Sequence, residues 1–503
     1  MVVHIKSLAF NGIEVVDVDV QVQMTTGVPQ FNIVGLGDKA VTESKERVKA
    51  AIVSMGLSLP SAKILVNLAP ADLVKEGSHY DLPIALGVLS SMNLIDKNEI
   101  SEYMVLGELS LDGTILPVSG VLPASIGSVA RNIGLICPAG NGREAAWSGN
   151  ARIIAAKNLL SVINHFKGIQ VIATPEITSS NSEEIYYPDF SEIIGQKGAK
   201  KALEVAAAGG HNVLMYGPPG TGKSMLASRL PGILPDMETQ EILEISTIYS
   251  IAGLIEDGKL THQRPFRAPH HSCSPAAMVG GGAGKKVKPG EISLAHNGVL
   301  FLDELPEFAP NVIESLRQPI ENREVLIARA NAHIKFPANF QLIAAMNPCR
   351  CGYFSDPEKS CSKAPKCASD YSNRISGPVM DRFDIHIEAP GMDASKYNIL
   401  SKSNEESTKS ILERVKSARK IQSERLNGYG IRTNSQMGGQ ILIEQATPDD
   451  EGLKLLNEAA NKFKLSMRSY NRILKVSRTL ADLESSGSVR KIHIAEAISY
   501  RNL

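Results

Sequence analysis

A glycine-rich loop that ends in a lysine and a serine is the stretch of this sequence whose residue types point most directly to chemistry. The loop follows the apolar run 212–216 and precedes a helical run that ends near Leu230. Glycines let consecutive backbone N–H groups turn inward, and the following helix points its positive end at the same place. We therefore predict a nucleotide-phosphate site, with Lys223 on the β- and γ-phosphates and Ser224 on Mg²⁺. The residues of this loop are Gly217, Pro218, Pro219, Gly220, Thr221, Gly222, Lys223 and Ser224.

An acidic pair ends the apolar run 298–302, further along the chain. Acidic side chains at the carboxyl end of a buried strand are costly unless a metal ion or hydrogen bonds use them. We expect Asp303 to hold Mg²⁺ and Glu304 to orient and deprotonate the attacking water. Asn347 follows the next buried strand, 340–345, where an amide can sense the γ-phosphate. Together with the glycine loop, these residues predict ATP hydrolysis.

The composition is that of an ordinary globular protein, and it narrows the remaining function classes. The chain has 503 residues, of which 43% are hydrophobic and 21% charged, and its net charge is zero. A contact with nucleic acid must therefore use a local basic patch. Six cysteines in so long a chain argue against a disulfide scaffold. Neither a signal peptide nor a membrane-spanning run is evident, so we expect a cytoplasmic protein without membrane contact.

The pattern of apolar residues predicts an α/β protein with several domains. Residues 1–170 mix strand and helix signals and are expected to form the first domain. The polar, serine-rich stretch 171–188 is typical of a linker. We place the core that carries the glycine loop at 189–392 and a helical C-terminal lid at 393–503.

Two segments flanking the acidic strand carry basic residues: the glycine-rich insert 278–290 and a hairpin at 324–336. One interpretation is contact with a phosphate backbone, and the other is ordinary solvated surface. His270 and His271 precede the insert. Adjacent side chains diverge on a strand or a helix, which argues against a shared metal site. The candidate DNA contacts are Lys285, Lys286, Lys288, Arg329 and Lys335.

Four of the six cysteines lie close together in one segment of the chain. A tetrathiolate zinc site needs four deprotonated sulfurs, and a loop punctuated by Gly352, Pro357 and Pro365 is able to wrap one. The alternative is a group of reduced thiols in a surface loop. We therefore consider a structural Zn²⁺ ion, for which the candidate ligands are Cys349, Cys351, Cys361 and Cys367.

Two arginines in the C-terminal half are candidates for contact with the nucleotide. Arg382 stands beside Asp381, and it is either an arginine finger for a neighbouring subunit's ATP or one half of an internal ion pair. Arg468 precedes a predicted helix of the lid. An arginine there would meet the γ-phosphate of its own subunit.

The N-terminal part resembles the proteolytic domain of the Lon protease family in the runs 75–87 and 107–120. Lon proteases use a serine–lysine dyad in these two segments. Alignment puts His79 at the serine position and Leu122 at the lysine position, and Ser78, one place away, has no lysine to accompany it. A serine without a base is not an activated nucleophile. The resemblance therefore implies a Lon-like α+β domain without proteolytic activity.

Over its full length the chain resembles the ComM/YifB family, within the magnesium-chelatase clade of AAA+ ATPases. The resemblance rests on the motif order and on the runs 269–272, 289–296 and 301–307. It implies a P-loop core of three α/β/α layers with a helical lid, and a homo-hexameric ring with ATP bound between subunits. It further implies a motor on single-stranded or branched DNA, working with recombination proteins in branch migration during natural transformation.

The resemblance also implies how the site residues divide between subunits. Arg382 would act on the neighbour's ATP, and Ile194 and Gly195 would line the adenine pocket. The residues expected to act within their own subunit are Lys223, Ser224, Asp303, Glu304, Asn347 and Arg468. Two other function classes stay open. One is a metal-chelatase-type motor subunit, and the other is an ATP-dependent protease or chaperone-like remodeller.

Overall fold

The computed structural model describes most of the chain, and two bodies of structure are joined by the segment 171–188. Within that segment, residues 178–185 lie outside the described part. Residues 391–404, where the predicted lid begins, also lie outside it. The described ranges are 2–177, 186–281, 287–329, 332–352, 354, 362–390 and 405–501.

The N-terminal domain contains nine strands and six helices among its described residues. In chain order they are β1 (Val2–Asn11), β2 (Glu14–Thr25), β3 (Gln30–Val34), α1 (Lys39–Ser54), β4 (Lys63–Ala69), α2 (Asp81–Ser91), α3 (Lys97–Ser101), β5 (Tyr103–Val105), β6 (Glu108–Leu109), β7 (Ile115–Leu116), α4 (Val121–Ala130), β8 (Gly134–Pro138), α5 (Gly142–Ala146), β9 (Ile153–Ala156) and α6 (Leu159–Phe166).

Seven of these strands form one mixed sheet, in the order β3-β4-β2-β1-β5-β8-β9. β1 and β2 pair antiparallel around a tight turn at Gly12, whose φ of +68° favours glycine. Along β2, Val18, Val20 and Val22 are buried and alternate with more exposed residues, which is the pattern of a half-buried strand. Asp38 caps α1, because its side chain accepts a hydrogen bond from the backbone N–H of Val41 at 2.8 Å.

The second body begins with the core that carries the glycine loop. Its strands and helices, in chain order, are α7 (Lys197–Gly209), β10 (Val213–Tyr216), α8 (Lys223–Ile233), α9 (Thr239–Ala252), β11 (Phe266–Arg267), α10 (Pro275–Val279), β12 (Gly280–Gly281), β13 (Lys288–Pro289), α11 (Glu291–Leu294), β14 (Val299–Leu302), α12 (Pro310–Ser315), α13 (Arg317–Asn322), β15 (Glu324–Arg329), β16 (Ala332–Pro337), β17 (Gln341–Met346), α14 (Lys366–Ser372), α15 (Gly377–Met380) and β18 (Ile385–Glu388).

Five parallel strands form the central sheet of this core, in the order β11-β14-β17-β10-β18. Consecutive residues of each long strand enter opposite hydrophobic cores. In β10, Val213 and Met215 join the core beneath α7 and α8, whereas Leu214 joins the core beneath α12. Burial on both faces explains why these strands are continuous apolar runs in the sequence. The arrangement is a three-layer α/β/α sandwich, as predicted.

The C-terminal helices complete one of these two cores. They are α16 (Thr408–Arg425), α17 (Gly439–Ala446), α18 (Asp450–Phe463), α19 (Met467–Leu483) and α20 (Lys491–Ser499). Ile411 and Val415 of α16, with Ile473 and Val476 of α19, pack in the same core as β10. The apolar faces of these helices are therefore buried against the sheet of the core.

A polar seam joins the N-terminal domain to α9 of the core, and its centre is the buried carboxylate of Glu144. This carboxylate accepts hydrogen bonds from the backbone N–H of Leu122 at 3.1 Å, the amide of Asn141 at 2.8 Å and the hydroxyl of Ser250. The carbonyl of Ser250 accepts a bond from the N–H of Gly120 at 3.0 Å. Burial raises the pKa of Glu144. We refer to these five residues as the interdomain seam.

Candidate nucleotide site

The glycine loop joins the carboxyl end of β10 to the amino end of α8, and its glycines are required for two different reasons. Gly220 and Gly222 have φ values of +77° and +80°, in the left-handed region. Gly217 is required because there is no room for a side chain, since a Cβ there would lie 2.1 Å from the carbonyl oxygen of Ala389. The loop therefore combines a turned backbone with a close approach to the segment after β18. Backbone N–H groups and a helix amino end of this kind bind phosphate.

Lys223 is the first residue of α8, and its side chain folds back over the loop. The Nζ atom donates hydrogen bonds to the carbonyls of Gly217 and Pro218, both at 2.8 Å, and to Oδ1 of Asn347 at 3.2 Å. Only 8% of Lys223 is exposed, and this burial lowers its pKa although Asp303 and Glu304 act in the opposite direction. The ammonium group is thus held where the loop would bind a phosphate.

Ser224 and Asp303 meet beside this lysine. The Ser224 hydroxyl donates to Oδ2 of Asp303 at 2.6 Å, and the other carboxylate oxygen accepts the backbone N–H of Glu304 at 2.9 Å. A hydroxyl and a carboxylate are the oxygen ligands that Mg²⁺ takes in nucleotide sites, so the residues fit the ion. Glu304 has φ +51°, which non-glycine residues rarely adopt, and about half of its side chain is exposed (51%).

The segment before α7 also contacts the glycine loop. Gly195 has φ +72°, and its N–H donates to Oε1 of Glu405 at 2.8 Å. The amide of Gln196 donates to the carbonyl of Thr221 at 3.4 Å, and Lys200 forms a buried ion pair with Glu405 at 2.6 Å. Ile194 is half-buried in the same turn. Gln196, Lys200 and Glu405 were missed from sequence, because no motif marks them and Glu405 is remote in the chain.

A large polar cavity, of about 640 Å³, lies at the opposite edge of the sheet from the glycine loop. It is lined by Asn212, Gly298 and Gln341, which stand at the amino ends of β10, β14 and β17. Positively charged side chains lie close together there, since burial and the neighbouring Arg264 lower the pKa of Arg419 to about 10. We call it the basic cavity, and its walls include Arg323, Arg382, Arg419, Arg468, Arg472 and Lys475.

Arg382 and Arg468 are therefore brought together with each other and not with Lys223. Arg382 is 7% exposed, it pairs with Glu321, and its buried Nε has no hydrogen-bond partner among the described residues. Arg468 is exposed at the start of α19. The role predicted for Arg468 in its own subunit requires contact with that subunit's loop, and the structure does not place it there.

The physical reason is the way in which α19 is anchored. Thr479 contacts His211, just before β10, with 2.8 Å between Oγ1 and Nε2. Arg472 pairs with Asp384, just before β18, at 3.0 Å. Both contacts tie α19 to the amino ends of the strands, whereas the glycine loop follows a carboxyl end. Burial raises the pKa of the Asp384 carboxyl, but its hydrogen bond to His211 and the charges of Arg472 and Lys475 outweigh the burial and lower this pKa to about 2.

The basic segments predicted to contact DNA are only partly within the described chain. Lys285 and Lys286 lie outside it, and Arg329, the last residue of β15, is described in its backbone alone. Lys288 is exposed on β13, and Lys335 is exposed on β16, where it pairs with Glu324 at 3.3 Å. The hairpin itself is confirmed, because β15 and β16 pair antiparallel.

The cysteine segment lies against the glycine loop, but zinc has no support in the described residues. Cys349 is buried, and its Sγ lies 3.0 Å from the Sγ of Cys351. A Cβ on Gly352 would lie 2.7 Å from Cδ of Pro219, which shows how closely the two segments pack. Cys367 is the second residue of α14, and Cys361 lies outside the described part. No group of three or more potential metal ligands occurs among the described residues.

The segments that resemble Lon place their polar residues in internal contacts. The Ser78 hydroxyl donates to the carboxylate of Glu108. His79 is buried, with its Nε2 3.0 Å from the carbonyl oxygen of Leu8. Leu122, at the position of the lysine, belongs to the interdomain seam. The hydroxyl is therefore paired with an acid, and the second segment of the Lon resemblance is occupied by contacts with the core.

The glycine loop, the Asp–Glu pair and the parallel sheet fit the core of a P-loop AAA+ protein. Three family models match successive parts of the chain, and together they name one class. "Subunit ChlI of Mg-chelatase" matches residues 20–141, "Magnesium chelatase, subunit ChlI" matches 189–397, and "Magnesium chelatase, subunit ChlI C-terminal" matches 405–501. The class is that of magnesium-chelatase-like AAA+ proteins.

Two of the relatives illustrate a match along nearly the whole length of both chains. The competence protein ComM of Haemophilus influenzae is 41% identical over 505 residues, covering 98% of this chain and 96% of the relative. The protein YifB of Escherichia coli is 40% identical over 502 residues, covering 99% of this chain and 96% of the relative. The chain therefore belongs to the ComM/YifB family.

The similarity to Lon is partial. Lon protease 2 of Bacillus subtilis is 30% identical over 190 residues, which is 33% of this chain and 33% of that protein. A Lon-like N-terminal domain is therefore not established by this match. Among the described residues, no helix combines the length and the apolar character needed to cross a membrane.

Proposed function

We propose that this protein is a cytoplasmic ATP hydrolase that forms a hexameric ring and moves DNA, driving branch migration in recombination or natural transformation. The observation that carries the hydrolase part is the meeting of Ser224, Asp303, Lys223 and Asn347 at one edge of the sheet. Membership of a magnesium-chelatase-like AAA+ family supports it. The competence protein among the relatives supports a role with DNA.

In the proposed reaction, water attacks the γ-phosphorus of ATP and ADP leaves. Lys223 exchanges its loop carbonyls for the β- and γ-phosphate oxygens and neutralises their charge. Ser224 and Asp303 would hold Mg²⁺, which supplies further charge neutralisation when bound. Glu304 orients the water and accepts its proton, and the Asn347 amide positions the γ-phosphate.

We propose that each site is completed by a neighbouring subunit. Arg382 and Arg468 line the basic cavity at the amino edge of the sheet, so neither faces the glycine loop of its own chain. Arg468 is exposed, whereas Arg382 is buried and would exchange Glu321 for the nucleotide of an adjacent subunit. One buried guanidinium nitrogen of Arg382 has no partner among the described residues. An anionic phosphate would satisfy this nitrogen and relieve the crowding of cations. A closed ring supplies every site with such a neighbour.

The DNA contact is proposed for the glycine-rich insert and the β15–β16 hairpin. With a net charge of zero, the chain must bind phosphates through a local patch. Lys288 and Lys335 are exposed on these two segments. We further propose that Lys285, Lys286 and Arg329 belong to the same patch.

The test is ATP turnover by the purified protein, alone and with single-stranded, duplex and branched DNA. Lys223→Ala is the inactive control, since it removes the phosphate-binding ammonium group. We expect turnover that rises with DNA, most strongly on branched substrates. Turnover that ignores every DNA would leave an ATPase whose substrate is something else.

A metal-chelatase-type motor is the second candidate, because the matching family models carry that description. It would require a tetrapyrrole substrate and partner subunits. ATP-dependent insertion of Mg²⁺ into a porphyrin, measured with the partner subunits of a chelatase added, would favour this candidate. We expect no metal insertion under conditions in which DNA stimulates ATP turnover.

A further inference from the structure

The turn between β1 and β2 of the N-terminal domain packs against the β15–β16 hairpin of the core. Gly12 in this turn is buried, and a Cβ there would lie 2.2 Å from the carbonyl oxygen of Lys335 and 3.3 Å from Cγ2 of Ile334. The next residue, Ile13, is partly buried against the core beneath α12, to which the hairpin also contributes. The backbone of one domain therefore lies directly on the backbone of the other, with no room for a side chain between them.

The β15–β16 hairpin depends on neighbouring structure for its position, because two strands without further support are only marginally stable. In the described chain, β15 and β16 pair only with each other. Phe336 of β16 is 1% exposed and lies in the core beneath α12. Lys335 carries an exposed side chain, which is a candidate DNA contact, and its carbonyl meets Gly12. The turn of the N-terminal domain therefore supports the strand that presents this lysine.

Close packing continues from the β1–β2 turn to the interdomain seam. The ring of Phe10, near the end of β1, lies against Gly120, where a Cβ would be 2.3 Å from Cζ of the ring. The N–H of Gly120 donates to the carbonyl of Ser250 on α9 at 3.0 Å. The start of β2 is tied to the same part of the domain, since Arg131, just after α4, pairs with Asp17 at 2.7 Å. One run of packed groups thus joins the hairpin to α9 through the N-terminal domain.

We propose that the N-terminal domain is a brace that holds the β15–β16 hairpin in the position from which it contacts DNA. The brace is the run from Lys335 through Gly12, Phe10 and Gly120 to Ser250. A load that bound DNA places on the hairpin then reaches α9 through the N-terminal domain as well as through the core. The part played in DNA contact rests on the proposed function, whereas the hold on the hairpin rests on the packing alone.

Gly12→Ala tests the hold on the hairpin, because its Cβ would meet the carbonyl oxygen and displace the turn from β16. Gly168→Ala is the matched control, since Gly168 follows α6 in the same domain, has the same φ of +68° and has nothing within 4 Å of a Cβ. Both variants carry the strain of a positive φ, and only Gly12→Ala adds the close contact. We expect amide hydrogen exchange at residues 334–336 to be about tenfold or more faster in Gly12→Ala than in Gly168→Ala.

ATP turnover with and without branched DNA gives the functional readout. The basal kcat of Gly12→Ala should stay within about twofold of that of Gly168→Ala, whereas stimulation by DNA should fall about fivefold. Equal exchange of β16 in the two variants would overturn the brace. Faster exchange with undiminished stimulation would overturn its part in DNA contact. If wild type itself ignores every DNA, the proposed function fails, and the exchange measurement alone then decides whether the N-terminal domain holds the hairpin.

Ile13→Ala covers the case in which Gly12→Ala does not fold. It removes the side chain that the turn places against the core beneath α12, and it adds no clash. Ile33→Ala is its control, because Ile33 is partly buried against the core of the N-terminal domain itself. Ile13→Ala should speed exchange in β16 and lower the stimulation by DNA, and Ile33→Ala should do neither. Equal exchange of β16 in these two variants would likewise overturn the brace.

Discussion

Mixing two inactive variants tests whether Arg382 completes the site of a neighbouring subunit. Arg382→Ala removes the proposed finger, which should lower kcat about a thousandfold or more. Lys223→Ala abolishes phosphate binding in its own subunit. In an equal mixture, an interface works only where an Arg382→Ala subunit supplies Lys223 and its neighbour supplies Arg382. Random assembly satisfies this at about one quarter of the interfaces.

The positions of Arg382 and Lys223 at opposite edges of the sheet are the reason to expect action on a neighbouring subunit. Arg382 lies at the amino edge of the sheet, and Lys223 follows the carboxyl end of β10. The four residues of β10 separate the two edges by about 13 Å. A finger that served its own subunit would have to cross this distance, whereas one that serves a neighbour would not. We therefore expect a mixture to recover about a quarter of wild-type turnover from two variants that have almost none.

The assay mixes the two variants before nucleotide is added and measures phosphate release, with subunit exchange verified by size and by a tag on one variant. Arg374→Ala is the control, since this arginine is partly exposed and pairs with Glu307 at 3.1 Å. Mixed rings that remain as inactive as their parents would refute the reasoning, as would near-normal turnover of Arg382→Ala alone.

Three further predictions concern the same site and the proposed DNA patch. Glu304→Gln should lower kcat about 10²- to 10⁴-fold with ATP affinity retained, because only the base is lost. Glu307→Gln, in the same turn, should leave kcat unchanged. Equal losses of kcat in the two variants would contradict the assignment of Glu304 as the base. Gly217→Ala should weaken equilibrium ATP binding more than Gly220→Ala. The Cβ at position 217 would lie 2.1 Å from a backbone carbonyl oxygen, whereas at position 220 the space is open and the cost is the strain of a positive φ alone. The reverse order would disprove the close approach. Lys288→Ala should weaken DNA binding and reduce the salt slope by about one; an unchanged slope would remove Lys288 from the interface.

The candidate nucleotide site was accessible from sequence, because each of its parts is local. A glycine loop, a lysine and a helix start occupy one short stretch, and the acidic pair follows its own strand directly. The buried strands were recognisable as well, since both faces of β10 and β14 are apolar. Parallel pairing then brings their carboxyl ends to one edge, which is why a list of strand ends anticipates the contact of Ser224 with Asp303.

The position of Arg468 was not accessible in this way. It depends on where α19 packs, and that is decided by the contact of Thr479 with His211 between distant parts of the chain. No periodicity in α19 encodes which end of the sheet it meets. The proximity of His271 to Glu304, with 3.6 Å between Nδ1 and Oε2, was overlooked for a similar reason, because the two residues are adjacent only through the parallel pairing of β11 with β14.

The interdomain seam bears on how far this protein can be treated as modular. Ser250 is 2% exposed, and both its hydroxyl and its carbonyl bond to the N-terminal domain. A fragment that starts at residue 186 would keep Ser250 but lose Glu144 and Gly120. The hydroxyl and the carbonyl of Ser250 on α9 would then lose their hydrogen-bond partners in the N-terminal domain. The N-terminal half alone would keep the Glu144 carboxylate, which is buried in the full chain, without the hydroxyl of Ser250 as its partner. The two halves are therefore expected to fold and unfold as one cooperative unit, and an excised core is expected to be less stable than the same core in the full chain.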